Sequence, residues 1–138
     1  MSAYPRILQT VIDATDVRRT AEFYRELFGL EYRPGDEPPA EGDEDHVDWL
    51  VLRGTDGGHG LAFQQAEELK RTTWPDPEVP MQLHLDTSVP DVEELERQRA
   101  RAEALGATII LDRTDDTEEP LYVFADPEGH PFCIFVGD

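Results

Sequence analysis

The chain is short of positive charge, of sulfur and of long apolar runs, and each shortage excludes something. Twelve Lys and Arg face 31 Asp and Glu, a formal net charge of −19. A surface of that sign repels phosphate, so nucleic acid is not an expected partner, and anionic membrane surfaces are disfavoured for the same reason. One cysteine, Cys133, cannot form an intrachain disulfide, which fits a reducing compartment. No stretch approaches the roughly 20 apolar residues that a membrane-crossing helix needs. The opening Met-Ser-Ala-Tyr-Pro-Arg has no apolar h-region. The location expected from these features is the cytoplasm. Also missing are a Ser-His-Asp order, a phosphate-cradling glycine loop, zinc-finger spacing and a dinucleotide fingerprint. The surplus of acid itself has two readings. It serves solubility, or life at high salt, or else it lines an acidic cleft for a cationic ligand.

What is present is enough for a folded chain of one ordinary domain, 1–138, because 38% of the 138 residues are apolar and they alternate with polar ones. Ile7 to Asp13 reads as a strand. Asp16 then suits a helix N-cap, and Val17, Ala21, Tyr24 and Phe28 recur at helical spacing up to Gly29, a left-handed stop. Leu30 to Arg33 is extended. Pro34 to Asp45 is a turn-rich acidic loop, expected to be solvated and mobile. Val47 to Arg53 and Leu61 to Gln65 are strands joined by a hairpin at Thr55-Asp56-Gly57-Gly58.

After a proline-rich linker, 68–80, the same order of elements returns. Met81 to Thr87 is a strand. Asp91 caps a helix that runs to about Leu105 and stops at Gly106, and Asp91-Val92-Glu93-Glu94 has the form of a capping box. Strands follow at Thr108–Leu111, Leu121–Ala125 and Phe132–Val136, the last after the turn Asp126-Pro127-Glu128-Gly129. Matching landmarks lie at near-constant offsets. Asp16 and Asp91 are 75 residues apart, Gly29 and Gly106 are 77 apart, and Gly58 and Gly129 are 71 apart. The expectation is an α+β chain of two tandem βαβββ modules, about 5–67 and 81–137.

Paired modules of this kind resemble the vicinal-oxygen-chelate superfamily, the glyoxalase/bleomycin-resistance/dioxygenase type, over nearly the whole chain. Phe23-Tyr24 with Leu27-Phe28-Gly29-Leu30, then Leu105-Gly106-Ala107, look like that family's helix exits. Asp126-Pro127-Glu128-Gly129-His130 resembles its turn before the last strand. Trp74-Pro75-Asp76-Pro77 ahead of Gln82-Leu83-His84-Leu85-Asp86 looks like a bacterial glyoxalase-like subgroup. The resemblance implies two curled mixed sheets around a shared cavity, and a homodimer. It also carries a set of divalent-metal positions onto Gln9, Gln64, His84 and Cys133. That set departs from the family's usual His/Glu ligands. His84 is a good ligand when neutral, Gln9 and Gln64 are neutral carbonyl donors, and Cys133 would have to bind as a thiolate.

His84 is therefore either a catalytic or ligand-contacting group, a metal ligand, or a hydrogen-bonded core histidine. His46, His59 and His130 read as exposed or structural. Gln64 carries a register question, since a slip of one residue would turn Gln65 inward instead. Trp49, Phe63, Trp74 and Tyr122 are core aromatics or the lining of an organic-ligand site. The leading functional expectation is a glyoxalase-like protein that binds a small organic ligand, as a lyase or isomerase with weak or no metal dependence. The alternative is a non-catalytic drug-sequestering protein of the bleomycin-resistance type, which takes a cationic ligand. The third is an extradiol-dioxygenase relative, which needs two histidines and a carboxylate around iron and finds only His84 suitably placed.

Overall fold

The computed structural model describes residues 4–137. The element order is β1 (Gln9–Ala14), α1 (Val17–Phe28), β2 (Glu31–Tyr32), β3 (Trp49–Arg53) and β4 (Gly60–Gln65), then β5 (Leu85–Val89), α2 (Val92–Ala104), β6 (Thr108–Arg113), β7 (Leu121–Ala125) and β8 (Pro131–Val136). The βαβββ pattern thus occurs twice. The chain divides into two compact units, with the boundary between Leu69 and Lys70. Each unit holds one mixed four-stranded sheet, ordered β1-β4-β3-β2 in the first and β5-β8-β7-β6 in the second. The outer pairs β1·β4 and β5·β8 are parallel and the remaining pairs are antiparallel. A parallel pair needs a crossover, and the helix between its strands provides one.

In the first unit α1 forms because Asp16 accepts a hydrogen bond from Arg19 N, and it ends because Gly29 takes the left-handed conformation at φ 66°. Its buried stripe is Val17, Thr20, Ala21, Phe23, Tyr24 and Leu27. The stripe lies on one face of the first sheet, where the Tyr24 ring stacks on Phe63 at 5.7 Å. Ile12 and Leu50 pair with Phe63 in register and are buried on that face with it. The acidic loop expected to be mobile is instead anchored. Arg18 donates to Asp45 at 2.7 Å and to the Asp36 carbonyl, and the Asp36 carboxylate accepts from Val51 N.

In the second unit Asp91 caps α2 by accepting from Glu94 N. The reciprocal half of a capping box does not form, because the Glu94 carboxylate is taken by Arg97 and Gln98. The Asp-Pro-Glu-Gly turn is organised from inside: Asp126 is 1% exposed and its carboxylate accepts from Glu128 N and His130 N. From Lys70 onward, the stretch read as a linker belongs to this unit. Thr72 and Thr73 hydroxyls bond across to Val79, Arg71 donates to the Pro127 carbonyl, and Trp74 and Met81 pack on Leu121, Val123 and Cys133.

Both helices are fastened to their sheets by the same chemistry from unrelated positions. Tyr32 donates its hydroxyl to Glu22 while Arg18 lies over its ring at 5.1 Å; Tyr122 donates to Glu96 while Arg99 lies over its ring at 5.8 Å. Burial first, and the carboxylate partner second, push each phenol from its ordinary 10 up to about 12. A raised folded-state value means that the neutral phenol stabilises the fold fully below pH 10, and that this contribution disappears as pH rises through about 12. Phenolate absorbance followed against pH should therefore show a late component, which the Tyr32→Phe and Tyr122→Phe variants each reduce. Ionisation of both phenols near 10 in the folded protein would contradict these contacts.

Candidate functional site

A sheet with a helix on one face sends alternate side chains to the other. Registers place three rows on the helix-free face of the first sheet. Asp13, Gln64 and Trp49 form one row, Val11, Ala62 and Val51 the next, and Gln9, Gly60 and Arg53 the third. The row at the strand ends is polar and linked, since Gln64 donates to the Asp13 carboxylate at 3.2 Å. Gln65 alternates to the other face and donates to the Thr15 carbonyl. The middle row is apolar.

The third row opens into a cavity of about 370 Å³. Gly60 is part of its lining. It sits between Gln9 and Arg53 with no side chain of its own, and a Cβ there would meet the Leu52 carbonyl oxygen at 2.5 Å. The close approach of β3 excludes any larger residue. Gln9, Arg53, Arg6 and Leu8 line this hollow together with the glycines of the β3–β4 turn. His59 on that turn shares a hydrogen bond with the Thr10 hydroxyl at 2.9 Å, which ties the turn to β1.

The corresponding face of the second sheet carries Asp86 beside Cys133, then Val123 and Leu111 in the same row. His84 lies just before β5 rather than inside a strand. Its side chain is 42% exposed, and its Nε2 is 3.1 Å from Asp86. Cys133 is buried under Trp74 and Met81. Burial, with Asp86 and Glu119 nearby, pushes its thiol up to about 11.

These placements separate the residues that the sequence singled out. Phe63 and Tyr122 are on the helix-covered faces, under α1 and bonded to α2 respectively, because the strand phase that buries them there removes them from the open faces. They are corrected from ligand lining to packing. Trp74 packs within the second unit, and Trp49 is half-buried on the open face of the first. Arg6 and Arg53 were not singled out. The available signal was their phase: Arg53 lies one residue past Leu52 and so on the face of Gln9.

The proposed metal set does not fit a single ion. Gln9 pairs with Gly60, whereas Gln64 lies four residues further along β4 beside Asp13, a separation of about 13 Å at strand rise. Two ligands of one ion must approach within a few ångströms. Cys133, third residue of β8, has Ala62, third residue of β4, as its counterpart, so the symmetric partner of the thiol is a methyl group. A thiol held protonated is also a poor ligand. Among the described residues no three His, Cys, Asp or Glu are grouped to hold a metal. Cys133 should accordingly be unreactive toward a thiol-selective disulfide reagent at pH 8 until denaturant is added. Rapid modification of the folded protein would contradict the burial and the raised value.

A family profile describing a glyoxalase-like domain matches residues 9–135. No curated protein matches the chain. Solved structures do. A glyoxalase/bleomycin resistance protein/dioxygenase family enzyme from Burkholderia phytofirmans PsJN is 19% identical with a TM-score of 0.70, covering 96% of this chain and 98% of that one. A fosfomycin resistance protein from Mesorhizobium loti is 16% identical with a TM-score of 0.63, covering 100% and 95%. A lactoylglutathione lyase from Agrobacterium tumefaciens is 20% identical with a TM-score of 0.61, covering 99% and 96%. Identities this low speak for the fold alone, and the family rests on the profile, which spans almost all of the sequence. With its two βαβββ modules, the chain belongs to the glyoxalase-like domain family of the glyoxalase/bleomycin-resistance/dioxygenase superfamily.

Proposed function

We propose that this protein binds a small organic ligand in the hollow beside Gln9, without a tightly held metal. The observation that carries the reading is the row Gln9–Gly60–Arg53. A glycine required by the close approach of β3 stands between two polar side chains that line one cavity. A cavity of about 370 Å³ lies within the usual range for small-molecule sites. The Gln9 amide can donate N–H to a ligand oxygen and accept from a ligand hydroxyl.

Catalysis as a lyase or isomerase asks for more. The amide of Gln9 suits an electrophilic role, stabilising charge on an enolate-like oxygen. Proton transfer also needs a base near neutrality, and the lining of the hollow has no carboxylate, imidazole or thiol. His84, paired with Asp86 in the second unit, is the residue of this chain proposed for a catalytic role. The absence of a base from the lining favours the second reading, a binding protein that sequesters its ligand unchanged.

A panel of small anionic, neutral and cationic organic compounds, titrated into isotopically labelled protein, tests the first claim. Saturable amide shifts confined to Gly54, Gly57, Gly58, Gly60 and Gln9 are expected for at least one compound. Shifts absent across the panel would remove the ligand-binding reading. For any compound that binds, product analysis with the native protein and with His84→Ala separates turnover from sequestration.

A further inference from the structure

We infer that the hollow of the first unit selects ligands bearing an oxyanion, a carboxylate or a phosphate, through Arg6 and Arg53. The inference deepens the preceding reading and rests on it.

The starting observation is how the basic residues are used. With 31 acidic side chains against 12 basic ones, most arginines of this chain are engaged. Arg18, Arg25, Arg33, Arg97, Arg99 and Arg113 sit in ion pairs, and Arg71 donates to a backbone carbonyl. Arg6 and Arg53 differ. Among the described residues neither side chain makes an ion pair or a hydrogen bond, as is also true of Arg19, but these two are exposed at the border of the same cavity. In a chain where carboxylates outnumber cations by more than two to one, two unspent guanidinium groups at one hollow concentrate positive charge there.

The surroundings permit that concentration. Glu31 stands beside Arg53 in the β2·β3 register and is exposed, but it forms no ion pair with it. The Asp56 carboxylate is turned into its own loop, where it accepts from Gly58 N at 2.9 Å. The Gly57 and Gly60 amides are likewise spent, on the Gly54 and Leu8 carbonyls. The hollow therefore offers the two guanidinium forks and the Gln9 amide as its side-chain donors, with Leu8 as its apolar wall. Planar forks match the in-plane lone pairs of a carboxylate, or two oxygens of a phosphate. The overall charge of −19 predicts attraction of cations, and this site predicts the opposite at one place.

The test is a titration of the labelled chain with malonate, with inorganic phosphate and with tetramethylammonium as the cationic control, at low and at physiological salt. Malonate, phosphate or both should shift the Gly54, Gly57, Gly58 and Gly60 amides saturably, more weakly at higher salt. Arg53→Gln and Arg6→Gln should each weaken the shifts roughly tenfold, as expected for loss of a charge-assisted pair. The rest of each variant's spectrum reports whether the fold is kept. Comparing the two anions tells carboxylate from phosphate. If neutral or cationic compounds shift these amides while both anions do not, the oxyanion assignment falls and ligand binding stands. If no compound of any charge shifts them, both fall. Anion shifts that survive both substitutions would also overturn the assignment.

Discussion

In each unit a helix packs on one face of the sheet, and the two-residue period of a strand leaves no choice about which side chains meet that helix. Phe63 under Tyr24 fixes the phase of β4, and through the register it fixes β1 and β3 as well. Once Ile12, Leu50 and Phe63 are committed to the helix, Gln9, Asp13, Trp49, Arg53 and Gln64 are committed to the other face. In the second unit Phe124 stacked on Phe132, with Tyr122 reaching Glu96, does the same, and Asp86 and Cys133 follow. The chemistry available to the molecule is the remainder after packing has taken its share.

Much of this was legible beforehand. The limits of α1 follow from the Asp16 cap, the helical spacing and Gly29, all of which are local. The duplication was legible for the same reason, because caps and turn glycines at near-constant offsets need no knowledge of tertiary contacts. Buried Asp126, whose carboxylate holds its turn together, was visible only as one letter of a turn motif. The linker was legible as ordered but not as part of the second unit. Its closure depends on Thr72 and Thr73 hydroxyls reaching Val79, and no periodicity announces such bonds.

The site was less legible, because what matters there is register along the strand. Gln9 and Gln64 both lie on the helix-free face, but at opposite ends of it, and alternation cannot reveal that four-residue separation. Cys133 looked like a ligand by position; its environment of Trp74, Met81 and nearby carboxylates makes it a packing thiol. Net charge misled in another way. A sum over the whole chain hides the fact that most arginines are paired while two at one hollow are not. The family tells which fold these residues decorate, and the pairing of strands tells which of them can act together.

The most direct test of this division of faces is to replace one residue from each side of the same sheet and read stability and ligand binding separately. Gln9→Leu should leave the unfolding midpoint nearly unchanged and weaken the ligand-dependent shifts at the β3–β4 turn. Phe63→Leu should lower stability by about 1–3 kcal/mol and leave binding by the folded fraction intact. The reverse pattern, with Gln9 governing stability and Phe63 governing binding, would contradict the account.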